Sequence, residues 1–216
     1  MGVIATLLQG PVGHEVGHMV AQYQPIKLAA MEAQFETTDW APLRIGGVPD
    51  MEARQTNRAV EIPGGLSFIA YGDPSSTVRG LNEFPADNLP PVPVVHFAFQ
   101  AMVGIGTLLI GLAVWIIWRA WRKQPLSGNK LLLVLIVASG PLSIVALEAG
   151  WIVTEVGRQP WIVHGVMRTA EAVTESPGVV ALFAVTITVY AILAVGTVVT
   201  LQLLSRTPLP ENSDAA

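Results

Sequence analysis

Three long apolar runs constrain this chain more than any other feature of its sequence. They are Val94–Trp118, Leu131–Val153 and Val179–Leu204. An α-helix rises about 1.5 Å per residue, so each run is long enough to cross the roughly 30 Å hydrocarbon core of a bilayer. Only 13% of the residues are charged, about half the share that is usual in soluble domains. The sequence therefore predicts an all-α membrane protein with three full transmembrane helices.

The rest of the chain divides around these runs. Residues 1–12 open with an apolar segment too short to span a bilayer, which we interpret as the end of a transmembrane helix whose beginning is missing. Residues 13–93 form a polar, Gly- and Pro-rich extramembrane loop. We expect it to have no core of its own and little regular structure beyond a short helix over Ile26–Phe35, whose start is marked by the pre-proline residue Gln24. Residues 94–206 are the three-helix transmembrane region, and residues 207–216 are a polar tail.

Basic residues predict the orientation of the spans. The linker between the first two spans contains Arg119, Arg122, Lys123 and Lys130 and no acid. Short loops rich in Lys and Arg stay in the cytoplasm, so we place this linker and the C-terminus there. The acidic region 10–93 and the linker 155–178 then face outward. The net charge of −4 gives no footprint for nucleic acid, and the absence of cysteine excludes disulfides and thiolate metal sites.

Glu148 is the most unusual residue of the second span. A charged group at bilayer depth costs about 2.5–3.5 kcal/mol on insertion scales, and the three spans contain no base to compensate it. The carboxyl must therefore be protonated, paired with Arg158 or with another chain, or bound to a metal centre. Met102 in the first span is predicted at a similar depth. Its side chain either fills space between packed helices or provides a thioether ligand for haem iron.

The histidines and the polar side chains of the loop each have an ordinary structural interpretation and a functional one. His14–His18 matches HExxH, which binds zinc when it lies on a helix. Glycines at 13 and 17 oppose that helix, and no third ligand stands at a suitable spacing, so we favour histidines at the membrane boundary. We also expect His96 to be an interfacial residue. Lys27 and Glu32 are five residues apart, about 140° on a helix, so they form either a solvated polar face or a site for a polar headgroup.

Four sequence blocks occur in one order along the chain. They are QPIKLAAME at Gln24–Glu32, GVPD at Gly47–Asp50, FAFQAMVG at Phe97–Gly104, and EAGW with GRQPW between Glu148 and Trp161. Together they resemble subunit I of the cytochrome bd-type quinol oxidases, over nearly the whole chain. In that family, quinol is oxidised at the outer membrane face beneath an extramembrane quinol loop. Electrons then pass through a low-spin and a high-spin haem b to haem d, where oxygen is reduced to water.

The resemblance implies roles for particular residues. Lys27 and Glu32 match the quinol-binding pair, Met102 the axial ligand of the low-spin haem b, and Glu148 the ligand of the high-spin haem b. Gln100, Glu155, Arg158 and Trp161 are assigned to the haem environment. The family often has Arg at the position of Gln100, so the Gln keeps a donor and loses a charge. The loop is short, as in the short-loop branch of the family.

The resemblance also implies that the N-terminal half of subunit I is missing from this chain. The spans of that half carry further haem-ligating histidines, so the chain is expected to hold an incomplete haem set alone. Its implied partners are the missing half, subunit II, membrane quinol and the lipid bilayer. The implied location is the bacterial cytoplasmic (inner) membrane, with the quinol loop outside. The alternatives are a non-catalytic membrane remnant or interaction subunit, and an HExxH membrane metalloprotease.

Overall fold

The computed structural model of the chain describes residues 2–174 and 176–206. This part is mostly helical. The α-helices are α1 (Gly2–Tyr23), α2 (Pro25–Met31), α3 (Gly65–Tyr71), α4 (Val92–Trp121), α5 (Lys130–Val156) and α6 (Val179–Arg206). The β-strands are β1 (Leu43–Ile45), β2 (Val48–Asp50), β3 (Gln55–Asn57), β4 (Val60–Ile62), β5 (Trp161–Val163) and β6 (Met167–Arg168).

Three of these helices, α4, α5 and α6, are long and apolar enough to cross a membrane. Each contains one of the predicted apolar runs, so the prediction of three transmembrane helices is confirmed. Helix α5 begins where the side chain of Asn129 accepts the backbone N–H of Leu132 at 3.1 Å, which satisfies one of the free donors of its first turn. Helix α6 belongs to a separate compact unit that begins at Ala172. None of its residues is buried.

The first helix is longer than the sequence predicts. Helix α1 runs without interruption to Tyr23, although Pro11 and several glycines lie inside it. The predicted boundary between membrane helix and loop at residue 12 therefore falls in the middle of a helix. Packing explains the difference, because α1 contacts α2, α3 and α4. Tertiary contacts of this kind override a weak intrinsic helix preference.

Helix α2 follows almost at once and begins where the short helix was predicted, but it ends four residues before the predicted end at Phe35. Pro25 occupies its first turn, where a missing N–H costs no helical hydrogen bond. The helix ends at Met31, and Ala33 takes a left-handed conformation with φ 48°. Glu32 is thereby placed at the C-terminal cap, where the chain turns away from the helix axis.

The region after α2 is more regular than expected, so the prediction of little structure was wrong. Strands β1 and β4 pair antiparallel, and β2 and β3 form a hairpin between them in the chain. Residues of this region, of α2 and of the end of α1 form a buried cluster: Ala21, Leu28, Ala41, Leu66, Ala70 and Val78. A second cluster joins α2 to α4 and α5 through Met31, Val95 and Val153. The region therefore shares its core with the helices beneath it.

Candidate functional site

Lys27 connects α2 to the end of the second span. Its half-buried ammonium group donates a hydrogen bond to the backbone carbonyl of Thr154, with Nζ and O 3.1 Å apart. Thr154 lies in the last turn of α5, where carbonyl groups have no partner within the helix and the helix dipole favours a cation. A methyl group added at Gly157 would lie 3.2 Å from the Lys27 side chain, so the glycine leaves room for this approach.

The segment after α5 surrounds Lys27 with further polar groups. A narrow cleft, which we call the α2–α5 cleft, is lined by Lys27, Asn88, Arg158, Gln159, Trp161 and His164 among others. Arg158 forms an ion pair with Glu155, and the Trp161 ring packs beneath the guanidinium of Arg168, 5.0 Å from its centroid. The Nε of Arg158 and the Nε1 of Trp161 are buried without a hydrogen-bond partner. The cleft thus offers unused donors to a ligand that accepts hydrogen bonds.

Charge and burial alter the acidity of Lys27. Burial lowers its pKa from the usual value, and the neighbouring cation Arg158 lowers it further. Glu155 acts in the opposite direction and raises it. The lysine therefore gives up a proton more readily than a solvated lysine does.

Glu32 is the second candidate, and it lies in different surroundings. Its residue surface is only 3% exposed, and its Oε2 atom has no hydrogen-bond partner. Burial raises the pKa of Glu32 to about 7, while a hydrogen bond from the backbone of Arg44 and the charge of Arg44 lower it. A carboxyl with this pKa exchanges protons near neutral pH. Among the described contacts, none joins Glu32 to Lys27.

Arg44 on β1 is a residue that the sequence analysis did not identify. Its Nε donates to Glu61 on β4 at 2.9 Å, and its guanidinium also bonds the side chain of Gln34. The contact with Glu61 depends on the pairing of these two residues across β1 and β4. No local sequence pattern predicts that two three-residue strands, 17 positions apart in the chain, pair with each other.

Gln100 fixes β1 to the first span. The Gln100 side chain donates to the backbone carbonyl of Arg44 at 2.9 Å and accepts the backbone N–H of Gly46 at 3.1 Å. Both ends of its amide are therefore used by the β1 segment. A haem-environment role for Gln100 rests on the resemblance alone, and the structure gives the residue a contact with the extramembrane region.

His96 does not lie at an interface with lipid, so that prediction was wrong. The residue is fully buried between α2 and α4, with Nδ1 2.8 Å from the carbonyl oxygen of Met31. A carbonyl can only accept, so Nδ1 carries the proton in this contact. Because Met31 directly precedes Glu32, this contact joins α4 to the end of α2 beside Glu32.

Met102 and Glu148 lie at similar levels but on different sides of α5. A methyl group added at Gly150 would lie 3.0 Å from Sδ of Met102, so Met102 packs on the face of α5 that carries Gly150. Glu148 precedes Gly150 by two residues, about 3 Å along the helix and about 200° around it. Its side chain is exposed, and no described hydrogen bond or ion pair reaches it. Arg158, the partner considered for Glu148 from the sequence, pairs with Glu155 instead.

The HExxH residues do lie on a helix, contrary to the expectation drawn from their glycines. His14 and His18 face each other on α1, with Nε2 atoms 3.1 Å apart. Across residues 2–174 and 176–206, no group of three or more His, Cys, Asp or Glu side chains could hold a metal ion. The three protein ligands of a catalytic zinc centre are therefore not assembled in this part of the chain.

The spans and the polar sites above them define a helical integral membrane protein. The family model for cytochrome bd terminal oxidase subunit I matches residues 1–208. The chain therefore belongs to the family of cytochrome bd terminal oxidase subunit I, whose members contain haem.

Two relatives from Bacillus subtilis (strain 168) illustrate the similarity. The chain is 39% identical, over its whole length, to 49% of a protein provisionally named cytochrome bd menaquinol oxidase subunit I. It is also 34% identical, over 84% of its length, to 40% of a cytochrome bd ubiquinol oxidase subunit 1.

A solved structure agrees with these relatives. The bd oxidase from Geobacillus thermodenitrificans matches 95% of this chain with a TM-score of 0.81 and 38% identity, over 48% of that oxidase chain. The chain thus spans about half the length of the relatives it matches.

Proposed function

We propose that this chain is the C-terminal part of the haem-binding subunit I of a cytochrome bd-type oxidase and supplies its quinol site. The observation that carries the proposal is Glu32, a buried carboxyl with an unpartnered oxygen and a pKa of about 7. Family membership and the ordered sequence blocks support the same function. In the complete enzyme, quinol is oxidised at the outer face and electrons pass through haems to oxygen.

Quinol oxidation requires groups that hydrogen-bond the quinol oxygens and a base that accepts a proton from a hydroxyl. Lys27 lies in the first turn of α2 and Glu32 at its C-terminal cap, about 7.5 Å apart along the helix axis. Their separate surroundings allow each residue to serve a different end of one quinol ring. In the proposed site, Lys27 and the free donors of the α2–α5 cleft hydrogen-bond one quinol oxygen. Ionised Glu32 accepts the proton of the other hydroxyl, and Arg44 keeps enough Glu32 ionised near neutral pH to do so.

Met102 and Glu148 fit the donor set of haem iron. A thioether and a carboxylate are both iron ligands, and a carboxylate without a partner at membrane depth is costly unless something binds it. When bound, haem would supply one-electron transfer from quinol towards oxygen. Because the two side chains lie on different sides of α5, each would serve a different haem. This supports Met102 for the low-spin haem b and Glu148 for the high-spin haem b, with haem d at the oxygen site.

The proposed location is the bacterial cytoplasmic membrane, with the loop of residues 13–93 on the outer side. The basic linker after α4 and Arg206 at the end of α6 favour a cytoplasmic position for those ends. The proposed partners are an N-terminal half of subunit I and subunit II. The spanning helices have exposed apolar surfaces, which is consistent with contact with lipid and with these partner chains.

The test is co-expression of the chain with the N-terminal half of a close relative. A b-type signal in the reduced-minus-oxidised spectrum that is lost in Met102→Leu is the expected result. Met19→Leu, which changes an exposed methionine on α1, is the matched control and keeps the signal.

Quinol oxidation is measured in the same preparation. Glu32→Gln is expected to lower the rate at least tenfold and leave the haem spectrum unchanged. A complex without any b-type signal would instead favour the alternative of a non-catalytic membrane subunit.

A further inference from the structure

The histidine pair on α1 has a geometry that its helix alone does not require. His14 is exposed and His18 half-buried, one helical turn further along. Their ring centroids are 4.5 Å apart with an interplanar angle of 80°, and the two Nε2 atoms approach to 3.1 Å. Both rings therefore direct the same nitrogen towards one point.

This separation matches two imidazoles on one metal ion. Zinc–nitrogen distances are about 2.0–2.1 Å. Two such nitrogens lie about 2.9 Å apart when they subtend a right angle at the metal, and about 3.3 Å apart at the tetrahedral angle. The observed 3.1 Å falls between these values. A divalent transition metal ion bound to both Nε2 atoms, in place of the proton between them, would therefore keep this separation.

The pair also lies on an accessible side of α1. Val12 and Val16 belong to an exposed apolar stripe and are 56% and 52% exposed. At about 100° per residue, the midline of the two histidines lies about 160° around the helix from the midline of these valines. A lipid surface or partner helix that covers the apolar stripe therefore leaves the histidines open to solvent.

We propose that His14 and His18 form a bidentate site for a divalent transition metal ion such as Zn²⁺ on the helix that leads into the extramembrane region. Water or a small ligand completes the coordination, and the site has no catalytic role. The bound ion ties together one turn of α1 around Gly17, a residue that by itself weakens a helix. The site is independent of the proposed quinol and haem functions.

The experiment measures Zn²⁺ binding by the full chain, without an affinity tag, in detergent micelles. Titration calorimetry is expected to show one ion per chain, and Zn²⁺ is expected to raise the unfolding temperature. His14→Ala and His18→Ala should each weaken binding about tenfold or more, because a chelate loses its second ligand. Each variant should also remove the Zn²⁺-dependent rise in unfolding temperature.

His164→Ala is the matched control, since His164 is exposed and lies outside α1. It should keep the affinity and stoichiometry of the wild type. Equal weakening by His164→Ala, or unchanged binding by both α1 variants, would overturn the site. His14→Gln and His18→Gln provide the same test with polar side chains if either alanine variant fails to fold.

Discussion

The replacement of Glu32 by Gln should remove a pH dependence of stability that burial of this one carboxyl creates. The raised pKa means that the folded chain holds a proton on Glu32 that the unfolded chain releases. The folded state is therefore favoured at low pH, and stability falls as the pH rises from the unfolded pKa of 4.5 towards the folded pKa of about 7. The loss is nearly complete about one pH unit above the folded pKa.

The size of the effect follows from the shift. One pKa unit corresponds to about 1.36 kcal/mol. Integrated over the two protonation equilibria, the wild-type chain should lose about 2.5 kcal/mol of stability between pH 5 and pH 8 through Glu32 alone. Such a loss corresponds to a fall in Tm of roughly 5–10 °C for a chain of this size. Glu32→Gln has no charge to bury, so its Tm should change less over the same range.

The assay is thermal unfolding of both proteins in the same detergent at pH 5, 6, 7 and 8. Glu36→Gln is the control, because it removes an exposed carboxylate four residues away and should keep the wild-type slope. The reasoning fails if wild type and Glu32→Gln give parallel curves. It also fails if the wild type becomes more stable relative to Glu32→Gln as the pH rises.

Three further changes test the contacts around Glu32 and in the extramembrane region. Arg44→Met removes the charge that lowers the pKa of Glu32, so the fall of Tm with pH should extend further above pH 7 than in the wild type. Arg44→Lys keeps a positive charge and should largely restore the wild-type dependence of Tm on pH. Gln100→Leu leaves two backbone groups of the β1 segment unpaired and should cost about 1–3 kcal/mol, measured as a lower Tm at constant pH. Gly80→Ala would place a methyl group 2.3 Å from a backbone oxygen and should lower the Tm clearly. Gly10→Ala meets nothing within 4 Å in α1 and should leave the Tm unchanged or slightly higher.

The spanning helices were predictable because length and hydrophobicity are local properties of a sequence. An uninterrupted apolar run must form internal hydrogen bonds in lipid, and a helix provides them. Helix α2 was predictable for a similar reason, since Pro25 marks its start. The end of α2 depends on the left-handed conformation of Ala33, which the sequence does not predict.

The candidate site was predictable only in part. The sequence blocks identified Lys27 and Glu32 through a resemblance, but composition alone favoured a solvated face for both. Burial of Glu32 results from packing of α2 against α4 and from the fold of β1, which are long-range contacts. Arg44 was missed for the same reason. The helix around His14 was missed because glycines weaken a helix intrinsically, whereas α1 runs through its glycines without interruption.

The bonds from Gln100 to the β1 segment bear on how this protein can be divided. Region 24–91 would retain Arg44 and Glu32 if it were transplanted onto another set of spans. It would lose Gln100, which fixes β1, and Thr154, which accepts from Lys27. Exchange of the extramembrane region between homologues should therefore succeed only when the first turns of α4 and the last turn of α5 are exchanged with it.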